Sequence, residues 1–357
     1  MIKEPKKKKL NLALQGGGAH GAFTWGVLDA ILESKVFDIE GISATSAGSM
    51  NAVVMASGYL DSKEEGARAA LENFWSDVSN ASAAFCPASS GLAASFENLP
   101  QFFGGWGSDG LNSATHFLNL MSQNLSPYQF NPFNYNPLLD ILKKQVDFDR
   151  IRENKDFELY VTATNVRTGD ARIFKTDELT VDMVMASAAL PNIFQAVKVG
   201  KDHFWDGGFV GNPSLWPLFY DTDICDILIV HVNPLMRKEL PTDAPSIENR
   251  LNEITFNSAL LKELRAISFV QKLLDRDMLK DEHKHKYKDI LIHAIRAEDA
   301  MSNYDLSSKY DTSWAFLNKL KDQGHAAGKK WIKDNFENIG KVSTIDIAKD
   351  YLGQNAS

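Results

Sequence analysis

Short apolar segments alternate with helical runs along most of this chain, and this alternation limits the folds that it can adopt. The predicted strands are 10–15, 41–45, 159–163, 171–174, 227–232 and 290–294. Hydrophobic residues at helical spacing lie between most of them, which favours a largely parallel sheet covered by helices on both faces. The predicted fold class is therefore α/β, a three-layer α/β/α sandwich in which ligands bind at the carboxyl ends of the strands.

A serine stands at the end of the second predicted strand. Ser46 follows the short segment 42–45 and precedes a helix-like run over 49–57, with the small residues Ala44, Ala47 and Gly48 around it. This is the pattern of a nucleophile elbow, a sharp strand-to-helix turn that lifts one hydroxyl above the sheet. Ser46 is therefore a candidate nucleophile.

A glycine-rich loop follows the first predicted strand and precedes a helical run. It contains the residues Gly16, Gly17, Gly18, His20 and Gly21. Backbone N–H groups at a helix N-terminus lack intrahelical acceptors, and the helix dipole favours negative charge there. In an acyl hydrolase, such N–H groups can form the oxyanion hole that stabilises charge on the attacked carbonyl.

An acidic residue ends a third short apolar segment. Asp206 follows Phe204 and Trp205 and precedes Gly207 and Gly208. The two glycines would allow a tight turn that leaves the carboxylate uncovered. We expect Asp206 to reach the same sheet edge as Ser46, from a segment that follows residues 197–199.

Taken together, these motifs resemble the patatin-like phospholipase family. The family pattern is Gly-Gly-Gly-x-Arg/Lys-Gly, Gly-x-Ser-x-Gly and Asp-Gly-Gly/Ala, in that order, and the block 186–194 resembles the family's segment before the aspartate. The resemblance covers roughly residues 10–235. Two positions depart from it: Ala44 replaces the first glycine of the elbow, and His20 replaces the Arg or Lys of the glycine loop.

The resemblance implies a catalytic dyad in which Asp206 takes the proton of Ser46 directly, with no histidine between them. An aspartate ordinarily has a pKa near 4, so burial or hydrogen bonding would have to adjust that pKa. The implied oxyanion N–H donors belong to Gly16, Gly17, Gly18 and Ala47. No metal or organic cofactor is required. The implied enzyme is a lipid acyl hydrolase, a phospholipase A-type enzyme or a carboxylesterase, that meets its ester substrate at a transient membrane or micelle interface.

His20 has two interpretations. If a cation at this position supports the glycine loop or binds an anionic head group, His20 would do so only when protonated, and activity would then depend on pH. Alternatively, His20 is a neutral hydrogen-bonding residue at the start of a helix.

Two other functions are compatible with parts of the pattern. The spacing Gly-x-Gly-x-x-Gly in the loop also fits the dinucleotide fingerprint of an oxidoreductase, which needs an acid at the carboxyl end of the second strand. Here the acids Asp38 and Glu40 precede that predicted strand, and the dinucleotide interpretation gives Ser46 no role. A non-catalytic lipid-binding or scaffold protein on the same fold is the other alternative, and it rests on Ala44.

Charge and hydropathy narrow the partners and the location. A net charge of −8 argues against nucleic-acid binding and against broad docking on anionic membranes. No signal-peptide-like region precedes the first predicted strand, and no apolar run reaches membrane-spanning length. Cys86 and Cys225 are far apart in the sequence and are expected to be free thiols. We therefore expect a cytoplasmic protein, with peripheral membrane attachment and leaderless export as alternatives.

We divide the chain into three parts. Residues 1–9 form a basic lead-in, 10–245 the patatin-like catalytic domain, and 246–357 a mostly helical extension packed on the same domain. The aromatic, loop-rich segment 80–136 is expected either to cap the acyl pocket or to pack on the core. Residues 247–281 are predicted to form one or two amphipathic helices packed on the sheet, with a membrane surface or a homodimer interface as alternative uses.

Overall fold

The computed structural model describes residues 7–85, 126–284 and 286–353. Most of the aromatic segment 80–136 lies outside these residues, as does Cys86. Within the described part of that segment, Phe133 is 95% exposed and Tyr135 is 50% exposed, so these two side chains do not belong to the core. A cap over the acyl pocket therefore stays a prediction.

The strands of the described chain are β1 (Lys8–Leu14), β2 (Phe37–Thr45), β3 (Glu158–Asn165), β4 (Ala171–Lys175), β5 (Val197–Val199), β6 (Asp202–Asp206), β7 (Asp226–His231) and β8 (Leu291–Arg296). They form one sheet in the order β5-β6-β3-β2-β1-β7-β8, and β4 pairs with β3. The five strands β1, β2, β3, β7 and β8 are parallel to one another. Both β4 and β6 run antiparallel to β3. The central sheet is thus largely parallel, as predicted.

The helices of the described chain are α1 (Gly21–Ser34), α2 (Ala47–Phe85), α3 (Pro127–Phe130), α4 (Pro137–Gln145), α5 (Phe148–Glu153), α6 (Val181–Ser187), α7 (Trp216–Tyr220), α8 (Ala244–Asp275), α9 (Asp281–Lys284), α10 (Glu298–Met301), α11 (Trp314–Asn335) and α12 (Ile347–Asp350). α2 is broken at Ser62 and Lys63, whose backbone angles are not helical. Short 3-10 turns lie at Gly18–His20, Thr176–Glu178, Gly207–Phe209, Leu306–Tyr310 and Phe336–Asn338. None of the helices in the described ranges is long and apolar enough to cross a membrane.

Helices cover both faces of the sheet because successive side chains along a strand point to opposite faces. Leu12 of β1 packs in the hydrophobic core that contains buried residues of α1, α2 and α11. The adjacent Ala13 packs in a second core, together with Leu260 and Leu264 of α8. The fold is therefore the predicted three-layer α/β/α sandwich, and α8 is the long helix predicted within residues 247–281.

The pairing of β3 brings the ends of two distant strands together. One edge of β3 pairs with β2 up to Thr162, which lies opposite Thr45. The next residue of β3, Ala163, pairs with Asp206 at the end of β6. Since β4 occupies the other edge of β3 along these positions, β6 continues the line of β2. Ser46, which follows Thr45, and Asp206 therefore lie at adjacent positions along the same edge of β3.

Replacing Leu264 by alanine should destabilise the fold, because this side chain is fully buried in the core between α8 and the sheet. The free energy of unfolding should fall by about 2–5 kcal/mol, the range for truncating a buried leucine. Leu251 on the same helix is 59% exposed, so Leu251→Ala should change the free energy by less than about 0.5 kcal/mol. Urea unfolding measures both variants, and equal effects would contradict the packing of α8 on the sheet.

Candidate active site

Ser46 forms the turn between β2 and α2. Its φ is 54°, in the left-handed region. Ala44 is a regular residue of β2, paired with Leu14 of β1 and Val161 of β3. A non-glycine residue in a sparsely populated backbone region costs about 1–3 kcal/mol and persists only where the surrounding structure holds it. The strain of the turn is therefore concentrated at the serine, and position 44 does not require glycine.

The glycine loop passes directly beside Ser46. A Cβ atom built on Gly16 would lie 2.5 Å from Cβ of Ser46 and 2.9 Å from the carbonyl oxygen of Thr45, so only glycine fits there. The N–H of Gly16 donates to Oδ1 of Asn212 at 2.7 Å. This contact corrects the predicted set of oxyanion donors: Gly16 allows the loop to approach the serine, but its own N–H is already used.

Other N–H groups near Ser46 remain available. In the described part of the chain, no acceptor takes the N–H of Gly17, Gly18 or Ala47. Gly18 has a φ of 59°, which glycine adopts without strain, and it leads the loop into α1. Ala47 is the first residue of α2, where N–H groups lack intrahelical acceptors. These groups are free to bind an anionic oxygen.

The carboxylate of Asp206 is fully buried at the end of β6. Its Oδ1 accepts a hydrogen bond from the N–H of Gly208 at 2.7 Å. Burial raises the pKa of Asp206, whereas the hydroxyl of Ser46, the N–H of Gly208 and the charge of Lys309 lower it, and the result is a pKa of about 6. Oδ2 has no partner of standard hydrogen-bond geometry within the described residues. The hydroxyl of Ser46 therefore affects the pKa of Asp206 without making a hydrogen bond of standard geometry to Oδ2.

The end of α6 connects both candidate residues. Oγ of Ser187 accepts the N–H of Ser46 at 2.9 Å, and it lies 3.0 Å from Oγ of Ser49. Two residues later, the carbonyl oxygen of Ala189 accepts the N–H of Asp206 at 2.9 Å. The block 186–194, which the sequence marks only by resemblance, therefore sets the relative position of Ser46 and Asp206.

The remaining motif glycines lie where neighbouring atoms leave no room for a side chain. Cβ atoms built on them would come within 2.1–2.8 Å of other atoms at Gly21, Gly48, Gly207 and Gly208. At Gly208, the close neighbour is the ring of Phe256 in α8. The ring of the following residue, Phe209, lies 5.4 Å from that of Phe256.

His20 is buried and neutral. Burial, together with the charges of Lys309 and Arg237, lowers its pKa to about 3. Its Nε2 lies 2.7 Å from Oγ of Ser308, whose hydroxyl donates to the carbonyl oxygen of Asp305. Oγ of Ser308 therefore accepts from Nε2, which places the imidazole proton on that nitrogen. The structure favours the interpretation of His20 as a neutral hydrogen-bonding residue at a helix start.

The segment Leu306–Tyr310, which sequence reasoning did not connect with the site, packs against the glycine loop. A Cβ atom built on Gly18 would lie 2.4 Å from the carbonyl oxygen of Lys309. The ammonium group of Lys309 donates to Oδ1 of Asn233 at 2.8 Å and to Oδ1 of Asn252 at 2.7 Å. No local sequence pattern marks this segment, because its role depends only on a contact between distant parts of the chain.

Two other kinds of site, a metal centre and a cavity away from Ser46, have less support in the structure. Within the described residues, no group of three or more His, Cys, Asp or Glu side chains could hold a metal ion. A cavity of about 300 Å³ lies beside the break in α2, lined by Phe37 and Phe157 among others. It lies at the start of β2 and β3, the opposite end of the sheet from Ser46.

The comparison with family models agrees with the motifs. The family model for patatin-like phospholipases matches residues 12–219, more than half of the chain. No curated protein gives a match. Among solved structures, VipD from Legionella pneumophila is 13% identical, with 90% of this chain and 67% of that chain covered and a TM-score of 0.35. The heterodimeric ExoU–SpcU complex from the type III secretion system of Pseudomonas aeruginosa has a chain 18% identical, with 94% of this chain and 62% of that chain covered and a TM-score of 0.32. This chain thus spans about two thirds of the length of these two solved chains.

Replacing Asp206 by asparagine should stabilise the protein at neutral pH. The pKa of Asp206 is raised from 3.8 to about 6 in the folded state, so the native protein keeps this proton when the unfolded chain has lost it. Its contribution to stability therefore falls as the pH rises from about 4 to about 6. Asp206→Asn removes this loss, and its free energy of unfolding should exceed that of the wild type by up to about 3 kcal/mol above pH 6, with no difference below about pH 4.

Urea unfolding across this pH range measures the difference. Ser46→Ala is the control, because it keeps the buried carboxylate and should retain the decline in stability with pH. A difference between Asp206→Asn and the wild type that does not change with pH would contradict the raised pKa of Asp206.

Proposed function

This chain belongs to the patatin-like phospholipase family, and on this basis we propose that it hydrolyses carboxylic ester bonds of lipids through Ser46 and Asp206. The observation that supports this most is the pairing of β3, whose one edge carries the end of β2 and the end of β6 at adjacent positions. The strained turn at Ser46 and the buried carboxylate of Asp206 both lie there.

In the proposed first step, the Asp206 carboxylate takes the proton of the Ser46 hydroxyl while Oγ attacks the ester carbonyl carbon. The N–H groups of Gly17, Gly18 and Ala47 stabilise the resulting oxyanion, and loss of one such donor typically lowers kcat by about 10²–10³-fold. When the tetrahedral intermediate collapses, Asp206 returns the proton to the leaving alkoxide. An alcohol or lysolipid departs, and the acyl group remains on Ser46.

In the second step, water attacks the acyl ester of Ser46 and gives a proton to Asp206. Collapse of this intermediate breaks the bond between the acyl carbon and Oγ, and Asp206 returns the proton to Oγ. The fatty acid is released, and the serine hydroxyl is regenerated. The cycle needs no cofactor.

The pKa of Asp206 suits a base that acts without a histidine. At its ordinary pKa of 3.8 a carboxylate would be a weak acceptor for the proton of a serine hydroxyl. Burial raises the pKa to about 6, which makes the carboxylate a stronger base while leaving most of it ionised at neutral pH. The arrangement therefore supports direct proton transfer from Ser46.

An apolar side chain beside the proposed site supports a lipid substrate. Phe209 directly follows the Asp-Gly-Gly turn, packs on Phe256 of α8 and is 36% exposed. An acyl chain or a micelle surface would contact this residue. A phospholipase A-type activity is the preferred form of the proposal, and a carboxylesterase acting on smaller esters would use the same machinery.

The dinucleotide alternative lacks support at the sheet edge. Asp38 and Glu40 lie near the start of β2, which runs from Phe37 to Thr45, so neither acid lies at the carboxyl end where a ribose would bind. The scaffold alternative rests on Ala44, and the regular strand geometry of this residue supports the catalytic proposal instead. A cytoplasmic location, transient contact with a membrane or micelle interface and a homodimer remain part of the proposal.

Ser46→Ala should abolish both ester hydrolysis and covalent labelling by a fluorophosphonate, because the proposed mechanism uses the hydroxyl of Ser46 as its nucleophile. Asp206→Asn should lower both rates by at least about 10³-fold, since an amide cannot accept the serine proton. Peptide mapping of the labelled wild type should find one adduct, at Ser46. An adduct elsewhere, or substantial activity in folded Asp206→Asn, would contradict the dyad.

The rate of hydrolysis should rise with pH through the pKa of Asp206. The carboxylate must be ionised to act as the base, so kcat/KM should reach half of its maximum at about pH 6. A soluble ester with a chromogenic leaving group allows the measurement without a lipid interface. A half-maximum near pH 4 would show that the carboxylate titrates as an ordinary aspartate and would contradict the role assigned to its burial.

A further inference from the structure

Lys309 lies against the proposed site although it is far from the motifs in sequence. It belongs to the 3-10 turn Leu306–Tyr310, whose Ser308 holds the imidazole of His20. The carbonyl oxygen of Lys309 comes so close to Gly18 that a Cβ atom there would lie 2.4 Å from it. The backbone of this turn is therefore in direct contact with the glycine loop.

The ammonium group of Lys309 is held by neutral partners. Two of its three N–H groups donate to side-chain amide oxygens, those of Asn233 and Asn252, at 2.8 Å and 2.7 Å. Nζ also lies over the ring of Phe256, 5.5 Å from the ring centre. Among the described residues, none of the ion pairs involves this lysine, so its charge is not cancelled by an adjacent carboxylate.

Each of these contacts leads to one half of the proposed site. The side-chain amide of Asn233 donates to the carbonyl oxygen of Gly16 at 2.7 Å and to Oε1 of Gln15 at 3.1 Å. Phe256 packs against Gly208, the residue whose N–H binds the carboxylate of Asp206. One side chain thus joins the glycine loop and the Asp-Gly-Gly turn through a single intermediate residue on each side.

We infer that Lys309 is a positioning residue for the proposed Ser46–Asp206 hydrolase: it holds the glycine loop through Asn233 and supplies the positive charge of the site, which position 20 does not carry. The inference rests on the proposed function. If Lys309 has this role, the rate of acylation depends on a cation in the segment that follows α10, far outside the three sequence motifs.

The charged groups around Lys309 are consistent with this role. Burial lowers its pKa to about 8, Glu253 and Asp206 act to raise it, and Arg237 acts to lower it. Arg237 donates to Glu253 from both Nε and an Nη atom, and Arg250 donates to the other carboxylate oxygen of Glu253 at 3.0 Å, so Glu253 is paired with two guanidinium groups. Lys309 in turn lowers the pKa of Asp206.

Two other titratable neighbours, Tyr310 and His20, are uncharged near neutral pH. Burial, with the charges of Glu248 and Asp206, raises the pKa of Tyr310 to about 12. His20 is neutral because its pKa is about 3. Among the described residues, Lys309 is the charged group that acts on the pKa of Asp206.

Lys8 provides a matched control at the other end of the sheet. Its ammonium group also donates to two oxygens, the carbonyls of Phe336 and Ile339, at 2.6 Å and 3.2 Å. It also lies over an aromatic ring, 4.6 Å from the centre of Phe336. Lys8→Met therefore removes the same kinds of contact as Lys309→Met, at the amino end of β1 and away from Ser46.

The test measures the rate of fluorophosphonate labelling against pH in the full chain, with wild type, Lys309→Met, Lys309→Arg and Lys8→Met. Lys309→Met should label at least about 10-fold more slowly at neutral pH, and the half-point of its acidic limb should move up by about half to one unit, because Asp206 loses a nearby cation. The wild-type rate should fall as the pH rises through about 8, where Lys309 loses its proton, and Lys309→Arg should restore most of the rate without this fall, since a guanidinium stays protonated there. Lys8→Met should behave as the wild type.

Two results would overturn the inference while leaving the proposed function intact. One is a Lys309→Met profile that matches Lys8→Met in rate and in acidic limb. The other, which applies even where Lys309→Met does not fold, is a Lys309→Arg enzyme whose rate still declines near pH 8 as in the wild type. Absence of labelling at Ser46 in the folded wild type would instead overturn the proposed function, and the role of Lys309 with it.

Discussion

The buried carboxylate of Asp206, at the edge of the sheet, is the constraint on which the rest of this site depends. Moving an ionised carboxylate out of water is costly, and an uncompensated Asp206 would simply remain protonated at neutral pH. The N–H of Gly208, the hydroxyl of Ser46 and the charge of Lys309 each favour the ionised form, whereas burial opposes it. The resulting pKa of about 6 is high enough for a base and low enough for ionisation at neutral pH. The glycines, the elbow and the surrounding turns can be understood as the structure that maintains this balance.

Regular secondary structure sets the relative position of Ser46 and Asp206. β3 exchanges one partner strand for another between Thr162 and Ala163, which places Asp206 next to the end of β2 without a flexible loop between them. Oγ1 of Thr164 donates to the carbonyl oxygen of Asp206 at 2.6 Å, and Ser187 holds the N–H of Ser46. Hydrogen bonds to the backbone on both sides can hold a strained serine and a buried acid, each of which costs stability on its own.

The sequence predicts the parts of the site that depend on local backbone shape. Ser46, the glycine loop and Asp206 each stand where a strand ends and a tight turn begins, and such turns select small residues that are visible in one sequence. The order of strands and helices follows from hydrophobic spacing in the same way. The sequence does not show that Asn212 takes the N–H of Gly16, nor that Lys309 meets the glycine loop. Those contacts join residues far apart in the chain, and they place no constraint on the neighbours of either residue.

The C-terminal part of the chain is for this reason more than a cover for the sheet. Arg237 ties Glu253 of α8 to the carbonyl oxygens of Ser302 and Tyr304, at 2.8 Å and 2.9 Å, and so fixes the start of the loop that carries Lys309. α8 also contributes Phe256, which packs on the Asp-Gly-Gly turn. All of these residues lie beyond the region 12–219 that matches the family. In the proposed site, the cation, the support of the glycine loop and one wall come from this part of the chain, so the electrostatics of that site depend on residues outside the sequence motifs.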